Sequence, residues 1–531
     1  MSKKRNIWIG GAWPYANSTL HIGHLAGLLG GDALARYHRL KGDNVMYVSG
    51  SDCHGTPITL RARKDNVSPE IISNNFHKGF VETFDLLNFS YNLYTQTSTE
   101  FHKKEVQEFL TKVYNNGYIY EKEDDALYCE HCKKFVEDRE ITYVCKKCGK
   151  QAKGEACDCG EVPSFDDLKE GKCAVCGNHL VVKKDKNLYF KLSAFQDKIE
   201  EYVKENESHW RVNAVNETRK YLKMGLIDRA ITRNLDWGVE VPFEGYSHKR
   251  IYVWFEAVLG YVSACKRYCL ENNLNFNDYL KADSCDICYM VHGKDNINFH
   301  TIIFPALLMA IDENYKLPTE IVSSEYMTLN GDKISKSSGN YEETSDIVSK
   351  GSSDTLRFFI LGYGPEKKDS DFSMGLYATI HNNEIVNKLG NFVNRTLKFK
   401  GLTEIKKDEM DEEVKNTVIN YYDSIGKKIE EYEFKEAGRL VLNLLEYANK
   451  YYDENKPWVL AKEDLTRFNK VMYTCANVIA NLANILNPFM PVSSSKIKDI
   501  LDLDELKWNY TSIDKDLKLK EIEPLFVRMV L

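Results

Sequence analysis

An α/β fold, with a parallel sheet interrupted by a cysteine-rich insertion and followed by an α-helical bundle, is the architecture that three features of this sequence predict. The chain opens in a strand, turn, helix, strand order, eight of its 14 cysteines crowd into residues 129–176, and from about Asn387 onward apolar residues recur at helical spacing. At 531 residues the chain exceeds what a single core supports, so several domains are expected.

Ile7-Trp8-Ile9 before Gly10-Gly11 reads as a buried strand entering a turn, and Asn17, Ser18 and Thr19 offer caps for a following helix. Leu25, Leu28, Leu29, Leu34, Tyr37 and Leu40 then fall on one helical face. Val45-Met46-Tyr47-Val48 predicts a second strand, ending in Gly50-Ser51-Asp52. In such sheets ligands bind beyond the carboxyl ends of the strands, which places these turns at the site. Residues 118–186 change to Cys, Gly and Lys with little periodicity, as in a small domain held by metal. Strand and helix patterns resume near Ile251-Tyr252-Val253-Trp254 and Ile287-Cys288-Tyr289-Met290-Val291, so the α/β domain is split around the insertion. A polar, Gly-containing loop spans Asn330 to Asn340 before the helical region.

Composition narrows the function. A net charge of -7, from 71 Lys and Arg against 78 Asp and Glu, excludes a protein held on nucleic acid by bulk charge and requires local basic patches for any polyanionic partner. The longest apolar run, Ile302 to Ile311, contains Pro305 and falls far short of the roughly 18 residues of a membrane helix. The start lacks a signal-peptide pattern, so the expectation is a cytoplasmic protein without a membrane. Its thiols are then expected to be reduced, and paired cysteines point to metal rather than disulfides.

The pairs are Cys129/Cys132, Cys145/Cys148, Cys157/Cys159 and Cys173/Cys176, with Gly149, Gly160 and Gly177 just after three of them. Eight thiolates make two tetrahedral zinc sites, with iron–sulfur or unmetallated thiols as the alternatives. Cys285 and Cys288 lie in an apolar strand pattern beside no other pair and read as core residues.

Two short motifs carry phosphate chemistry. His21-Ile22-Gly23-His24 falls where the first helix begins, where backbone N–H groups and two imidazoles can donate to ATP phosphates and Gly23 lets a base approach. Lys333-Ile334-Ser335-Lys336-Ser337 places two ammonium groups in the polar loop. Taken singly, either string also fits a capped helix or a solvated loop. Together, in this order on an α/β pattern, they resemble the two hallmark motifs of class I aminoacyl-tRNA synthetases. The resemblance implies a Rossmann-like catalytic domain. It also implies attack of an amino-acid carboxylate on the α-phosphate of ATP, with Mg²⁺ on the nucleotide and with His21, His24, Lys333 and Lys336 neutralising the pyrophosphate.

Within that class, Ala12-Trp13-Pro14-Tyr15, Gly50-Ser51-Asp52-Cys53-His54-Gly55-Thr56, Val253-Trp254-Phe255-Glu256-Ala257 and His292-Gly293-Lys294-Asp295 resemble the methionyl family. The resemblance implies that L-methionine, ATP and tRNA(Met) are the partners, for initiation and elongation alike. Asp52 is then expected to hold the substrate ammonium, while Ala12, Trp13, Tyr15, Trp254, Ala257, Tyr261 and His300 shape the side-chain pocket and Lys294 and Asp295 face the nucleotide. Aromatic walls suit an unbranched thioether. Read alone, Trp254, Ala257 and Tyr261 are equally one buried helix face. Val258 and Asn298 stand where some members carry Pro.

Resemblance to two-knuckle members implies nesting of the cysteines: Cys145, Cys148, Cys157 and Cys159 on an inner zinc, Cys129, Cys132, Cys173 and Cys176 on an outer one. It also implies that Asn391, Arg395 and Trp458 read the anticodon, against the plainer reading of a surface ion pair and a buried indole. The implied organisation is a first catalytic half at 1–117, the zinc-knuckle insertion at 118–230 and a second catalytic half at 231–325. A stem-contact region with the lysine loop follows at 326–386, then a helical anticodon domain at 387–515, and residues 516–531 fold back on the catalytic domain. Relatives with a further β-barrel domain dimerise, so a monomer is expected. Two other readings stay open: a small-molecule nucleotidylyltransferase, which needs neither the knuckles nor the helices, and a zinc-ribbon RNA-binding scaffold, which leaves the His and Lys motifs without a role.

Overall fold

A computed structural model describes residues 4–137, 140–154, 157, 159, 161–334, 339–519 and 522–530. The principal elements of the first part of the chain are β1 (Asn6–Gly11), α1 (Ile22–Ala26), α2 (Leu29–Leu40), β2 (Asn44–Ser51), α3 (Thr56–Asp65), β3 (Leu93–Gln96), α4 (Glu100–Asn115) and β4 (Ile119–Cys129). The chain continues through β5 (Val181–Phe190), α5 (Val253–Val258), α6 (Gly260–Glu271), β6 (Ile287–Gly293), β7 (Glu320–Ser324), α7 (Ser353–Tyr363) and α8 (Asn391–Leu397). The helices α9 (Glu412–Glu430), α10 (Phe434–Asn455), α11 (Pro457–Glu463), α12 (Leu465–Leu486) and α13 (Pro491–Ile500) complete it.

The central sheet has five strands in the order β7-β6-β1-β2-β3. All neighbours are parallel, with Ile7 opposite both Ile287 and Val45. Near-continuous apolar strands of this kind are buried on both faces, and Ile7, Trp8 and Ile9 are fully covered. The order places the first strand centrally, so the site-bearing turns after β1 and β2 lie side by side at the carboxyl edge. β4 and β5 form the long antiparallel stalk of the insertion, pairing from Ile119↔Phe190 to Tyr128↔Val181.

Two local expectations are corrected. The helix cap is His21 rather than Asn17, Ser18 or Thr19, and Thr19 instead bonds Tyr341 across the site at 2.8 Å. The apolar stripe from Leu25 to Leu40 is two helices, because the chain breaks at Gly27, whose backbone lies against Gly293. The strand and helix pattern read near Ile251 is a two-residue strand followed by α5 from Val253.

The sheet and the helical bundle share one core. Arg357 of α7 is fully buried, 2.6 Å from Asp32 of α2, and also donates to the carbonyls of Leu87, Pro488 and Phe489. Burial of this guanidinium is sustainable because every direction it faces offers an acceptor. The final segment docks on the 326–386 region: His381 meets the Val527 carbonyl at 2.8 Å, and Asn382 donates to the Met529 carbonyl and accepts from the Met529 N–H. Among the described residues no helix is long and apolar enough to cross a membrane.

Candidate active site

Strand ends bring the first two motifs together. Beyond β1 and β2 the chain stays paired: Asp52 N–H donates to the Pro14 carbonyl at 2.9 Å and Ala16 N–H to the Asp52 carbonyl at 2.8 Å. Tyr15 and Asp52 are thereby set opposite one another. The Trp13 indole fills a slot that only glycines leave open, since a Cβ at Gly50 would lie 2.2 Å, and one at Gly260 2.6 Å, from its ring.

Around that slot the sequence-predicted pocket residues converge. Trp254 Nε1 donates to the Tyr15 hydroxyl at 2.8 Å, and its ring meets Phe299 edge-on at 4.8 Å. On α5, Val253, Phe255, Glu256 and Val258 are buried whereas Trp254 and Ala257 stay partly open. That division favours a pocket wall over a plain core face. Tyr261 lies edge-on to Trp13 and 2.8 Å from His300 Nε2. His300 Nδ1 lies 2.8 Å from the Asn296 carbonyl, so that nitrogen carries the proton and Nε2 accepts from Tyr261. Burial pushes the His300 pKa down to about 4, which keeps the ring neutral.

Asp52 is 3% exposed and accepts one backbone bond, from His54 at 3.3 Å. Burial and the nearby Glu256 carboxylate push its pKa well above the ordinary range. A buried acid so placed gains from a cationic ligand.

His21 and His24 begin α1 as a reciprocal cap. Gly23 N–H donates to His21 Nδ1, and His21 N–H to His24 Nδ1, both at 3.2 Å. Each Nδ1 is thus an acceptor, which leaves the proton of each neutral ring on Nε2. Burial, then the adjacent His21, lowers His24 to about 3. Because α1 spans only five residues, the imidazoles contribute more here than a helix dipole does.

The lysine loop reaches this cap. Ile334 is 8% exposed, with its Cδ1 3.4 Å from where a Gly23 Cβ would stand. Asn340 bonds the carbonyls of Leu329, Asp332 and Lys333, and Tyr341 bonds Thr19. Lys333 is exposed at the loop's start; Lys336 lies outside the described residues. Lys294 bridges Glu325 at 2.6 Å and Asp369 at 3.0 Å, and Asp295 bonds the Tyr326 hydroxyl. Burial alone would lower the Lys294 pKa, but these carboxylates hold it above normal.

Both cysteine groups form as nested sets, each with all four sulfurs within 4.8 Å of one another. Cys129–Cys176 and Cys132–Cys173 lie 3.4 and 3.9 Å apart, Cys145–Cys159 and Cys148–Cys157 3.7 and 3.5 Å. A tetrahedral zinc with bonds of about 2.3 Å needs sulfurs about 3.8 Å apart, so the residues fit the ion. Backbone N–H groups of Cys148 and Asn178 lower Cys145 to about 7 and Cys176 to about 6, favouring the thiolate a metal binds. Cys157 and Cys159, only two apart in the chain, both belong to the inner set. Glu140 ties this unit to α3 by bonding Arg63 at 2.6 Å and Lys134 at 2.7 Å. Cys285 and Cys288 are buried core residues, as read from the sequence.

On the bundle, Asn391 and Arg395 line a groove of about 660 Å³ with Asn449, Asp453 and Lys456. Arg395 pairs with Asp453 at 2.6 Å and stacks on Tyr452 at 4.2 Å. Trp458 opens α11 and is 48% exposed, so the buried-indole reading fails.

Sequence reasoning missed His102 and left His54 and Glu256 without roles. His54 and Glu256 sit inside recognised motifs, whereas His102 lies on α4, outside any of them, with no local signal.

Known proteins match along the whole length. The family described as tRNA synthetases class I (M) matches residues 7–397, and the anticodon binding domain of methionyl tRNA ligase matches residues 402–525. The chain is 43% identical to methionine–tRNA ligase 1 of Alkaliphilus oremlandii over 99% of this chain and 97% of that one. It is 42% identical to methionine–tRNA ligase of Streptococcus pneumoniae over 99% and 96%. In fold it is similar to Mycobacterium tuberculosis methionyl-tRNA synthetase in complex with methionyl-adenylate, with a TM-score of 0.80 at 24% identity, covering 99% of this chain and all of that one. With Ile334 seated against the His21–His24 cap and both family regions matched end to end, the chain belongs to the methionine–tRNA ligase family of class I tRNA synthetases.

Proposed function

We propose that methionine binds with its ammonium on Asp52 and its thioether among Trp13, Tyr15, Trp254, Ala257, Tyr261 and His300, beside Ala12. ATP lies along His21, Gly23 and His24, its phosphates met by Lys333 and Lys336 and its Mg²⁺ carried in with it. The methionine carboxylate oxygen attacks the α-phosphorus as the bond to pyrophosphate breaks, giving methionyl-adenylate. A hydroxyl of the terminal adenosine of tRNA(Met) then attacks the carbonyl carbon and AMP leaves. Positioning and charge neutralisation do the work, with no covalent enzyme intermediate. The observation that carries this reading is the seating of Ile334 on Gly23, which brings the lysine loop to the histidine cap. Lys294 and Asp295 face the nucleotide while held in place by Glu325, Asp369 and Tyr326. The chain works as a cytoplasmic monomer.

Pyrophosphate–ATP exchange with each standard amino acid tests the reading. Stimulation by methionine alone is expected; stimulation by another amino acid overturns the pocket assignment.

The histidine cap makes a sharper prediction. Because His24 presents Nε2–H, His24→Gln, whose amide reaches a similar place, retains more activity than His24→Asn, whose amide matches Nδ1. Loss of one such donor costs about 10²–10³-fold, so Asn falls in that range and Gln near tenfold or less, read as kcat/KM for ATP. The reverse order would assign the role to Nδ1.

Asn391, Arg395 and the exposed Trp458 meet the anticodon, the indole stacking on an unpaired base for about 1–3 kcal/mol. Trp458→Ala is expected to leave exchange intact while raising the KM for tRNA about 5–100-fold. Equal loss in both assays removes the anticodon role.

A further inference from the structure

Behind the Asp52 pocket lies a second carboxylate that the mechanism above does not use. Glu256 of α5 is fully buried, and both of its oxygens are engaged by imidazoles. His54 Nδ1 lies 2.7 Å from Oε1, and His102 Nε2 lies 2.8 Å from Oε2. His102 is anchored in turn by Ser263 at 2.8 Å, whose hydroxyl is 3.2 Å from the Gly260 carbonyl. Three separate segments therefore converge on one carboxylate: the turn after β2, helix α4, and the α5–α6 pair.

The clamped His54 is also the residue whose backbone N–H bonds Asp52. Among the described residues neither Asp52 nor Glu256 bonds a lysine or arginine. Two carboxylates thus share a closed region that lacks a permanent cation, and bringing like charges together in low dielectric is costly. Burial works against ionisation of Glu256, yet the two imidazoles hold its pKa below normal, so its charge persists beside Asp52.

We propose that Glu256, clamped by His54 and His102, is a positioning and selectivity residue that fixes Asp52 through His54 and adds a second negative charge, so that the pocket admits only ligands bearing an ammonium. This rests on the assignment of Asp52 to the substrate ammonium. A carboxylate-bearing ligand without that group brings its own negative charge toward Glu256 with no ammonium to offset it, and is rejected. Discrimination of this kind comes from the repulsive element as much as from the attractive one.

Two methionine analogues separate the charge from the scaffold: methioninol keeps the ammonium and lacks the carboxylate, and 4-(methylthio)butanoate has the opposite pattern. Glu256→Gln preserves size and removes the charge, keeping one acceptor oxygen while the imidazole facing the new NH2 must present its unprotonated nitrogen. It is expected to raise the KM for methionine and the Ki for methioninol about tenfold or more, with kcat for exchange falling less than about threefold and the Ki for the deaminated analogue falling. A shared weakening of both analogues, or no change in either, overturns the proposal. His54→Gln supplies a second readout should that variant fold poorly. It cuts the clamp while leaving both carboxylates, so methioninol weakens about fivefold or more and the deaminated analogue does not improve; equal weakening of both overturns the proposal. Asp52→Asn run alongside separates the two ideas. If Asp52→Asn leaves methioninol binding unchanged, the ammonium assignment itself fails. If it weakens methioninol while Glu256→Gln does not, only the role of Glu256 fails.

Discussion

Asp52→Asn is expected to lower kcat/KM for methionine about 10²–10³-fold while making the protein more stable at neutral pH. The functional loss follows from removing the charged partner of a buried ammonium, which costs about 2–5 kcal/mol where water cannot substitute. The stability gain follows from the same burial. Asp52 is almost completely enclosed, accepts one backbone bond and lies beside Glu256, so folding the empty protein with Asp52 ionised is unfavourable. An isosteric amide removes that cost, a gain of about 1–3 kcal/mol. The pH dependence has a definite sign. With the folded pKa raised, wild type and variant are equally affected below the unfolded pKa of about 3.9, where both states hold the proton. As pH climbs from there toward the folded pKa, the unfolded chain ionises first and wild type loses stability relative to the variant. Thermal melts at about pH 5 and pH 7.5 should therefore show the variant's advantage growing with pH. A variant that melts lower than wild type at neutral pH, or keeps its KM for methionine, contradicts this account of the site. The opposition of stability to activity at one residue is expected where a charge is stored for a ligand.

Stripping zinc under reducing conditions is expected to unfold the insertion and abolish most activity while leaving the parallel sheet intact. The insertion has its own small core, built from Leu127, Val136, Ile141, Tyr143, Ala152, Leu168 and Leu180 with the cysteines themselves. A unit of that size seldom holds without metal, and a structural zinc supplies about 10–16 kcal/mol at neutral pH. Hydrogen exchange should lose protection across residues 127–180 and retain it in β1, β2 and β6, with zinc restoring both protection and activity. The two sites should differ. Cys129 ends β4, so Cys132→Ser at the outer site loosens the stalk and the Arg63–Glu140 link to α3, whereas Cys148→Ser frays only the distal knuckle. Full protection after verified metal loss would show that the apolar core suffices alone. Because the bound thiols must lose protons, and Cys129 and Cys132 are pushed up while Cys176 is lowered, affinity should weaken steadily as pH falls.

Much of the architecture was legible because it is written locally. Apolar runs gave β1, β2 and β6, the cysteine spacing gave two tetrahedral sets, and the helical stripes gave the bundle. Local errors have local causes: Asn17, Ser18 and Thr19 are good caps by type, yet the His21–His24 reciprocal pair supplies the bonds and Thr19 is drawn to Tyr341. The break between α1 and α2 is invisible in the stripe because it answers to Gly293, on a strand far along the chain.

The sequence by itself determined the family, the α/β class with its insertion and bundle, and the residue types at both phosphate motifs, since each is a short contiguous string whose chemistry travels with it. Only the tertiary structure decided the rest. It put the Trp13 indole between Gly50 and Gly260, made Nε2 the donor of His24, seated Ile334 on Gly23, and joined His54, Glu256 and His102 behind Asp52. Each of these is a close contact between segments distant in the chain. Burial and charge proximity, the quantities that set protonation and selectivity, exist only once the sheet order has brought those segments to one edge.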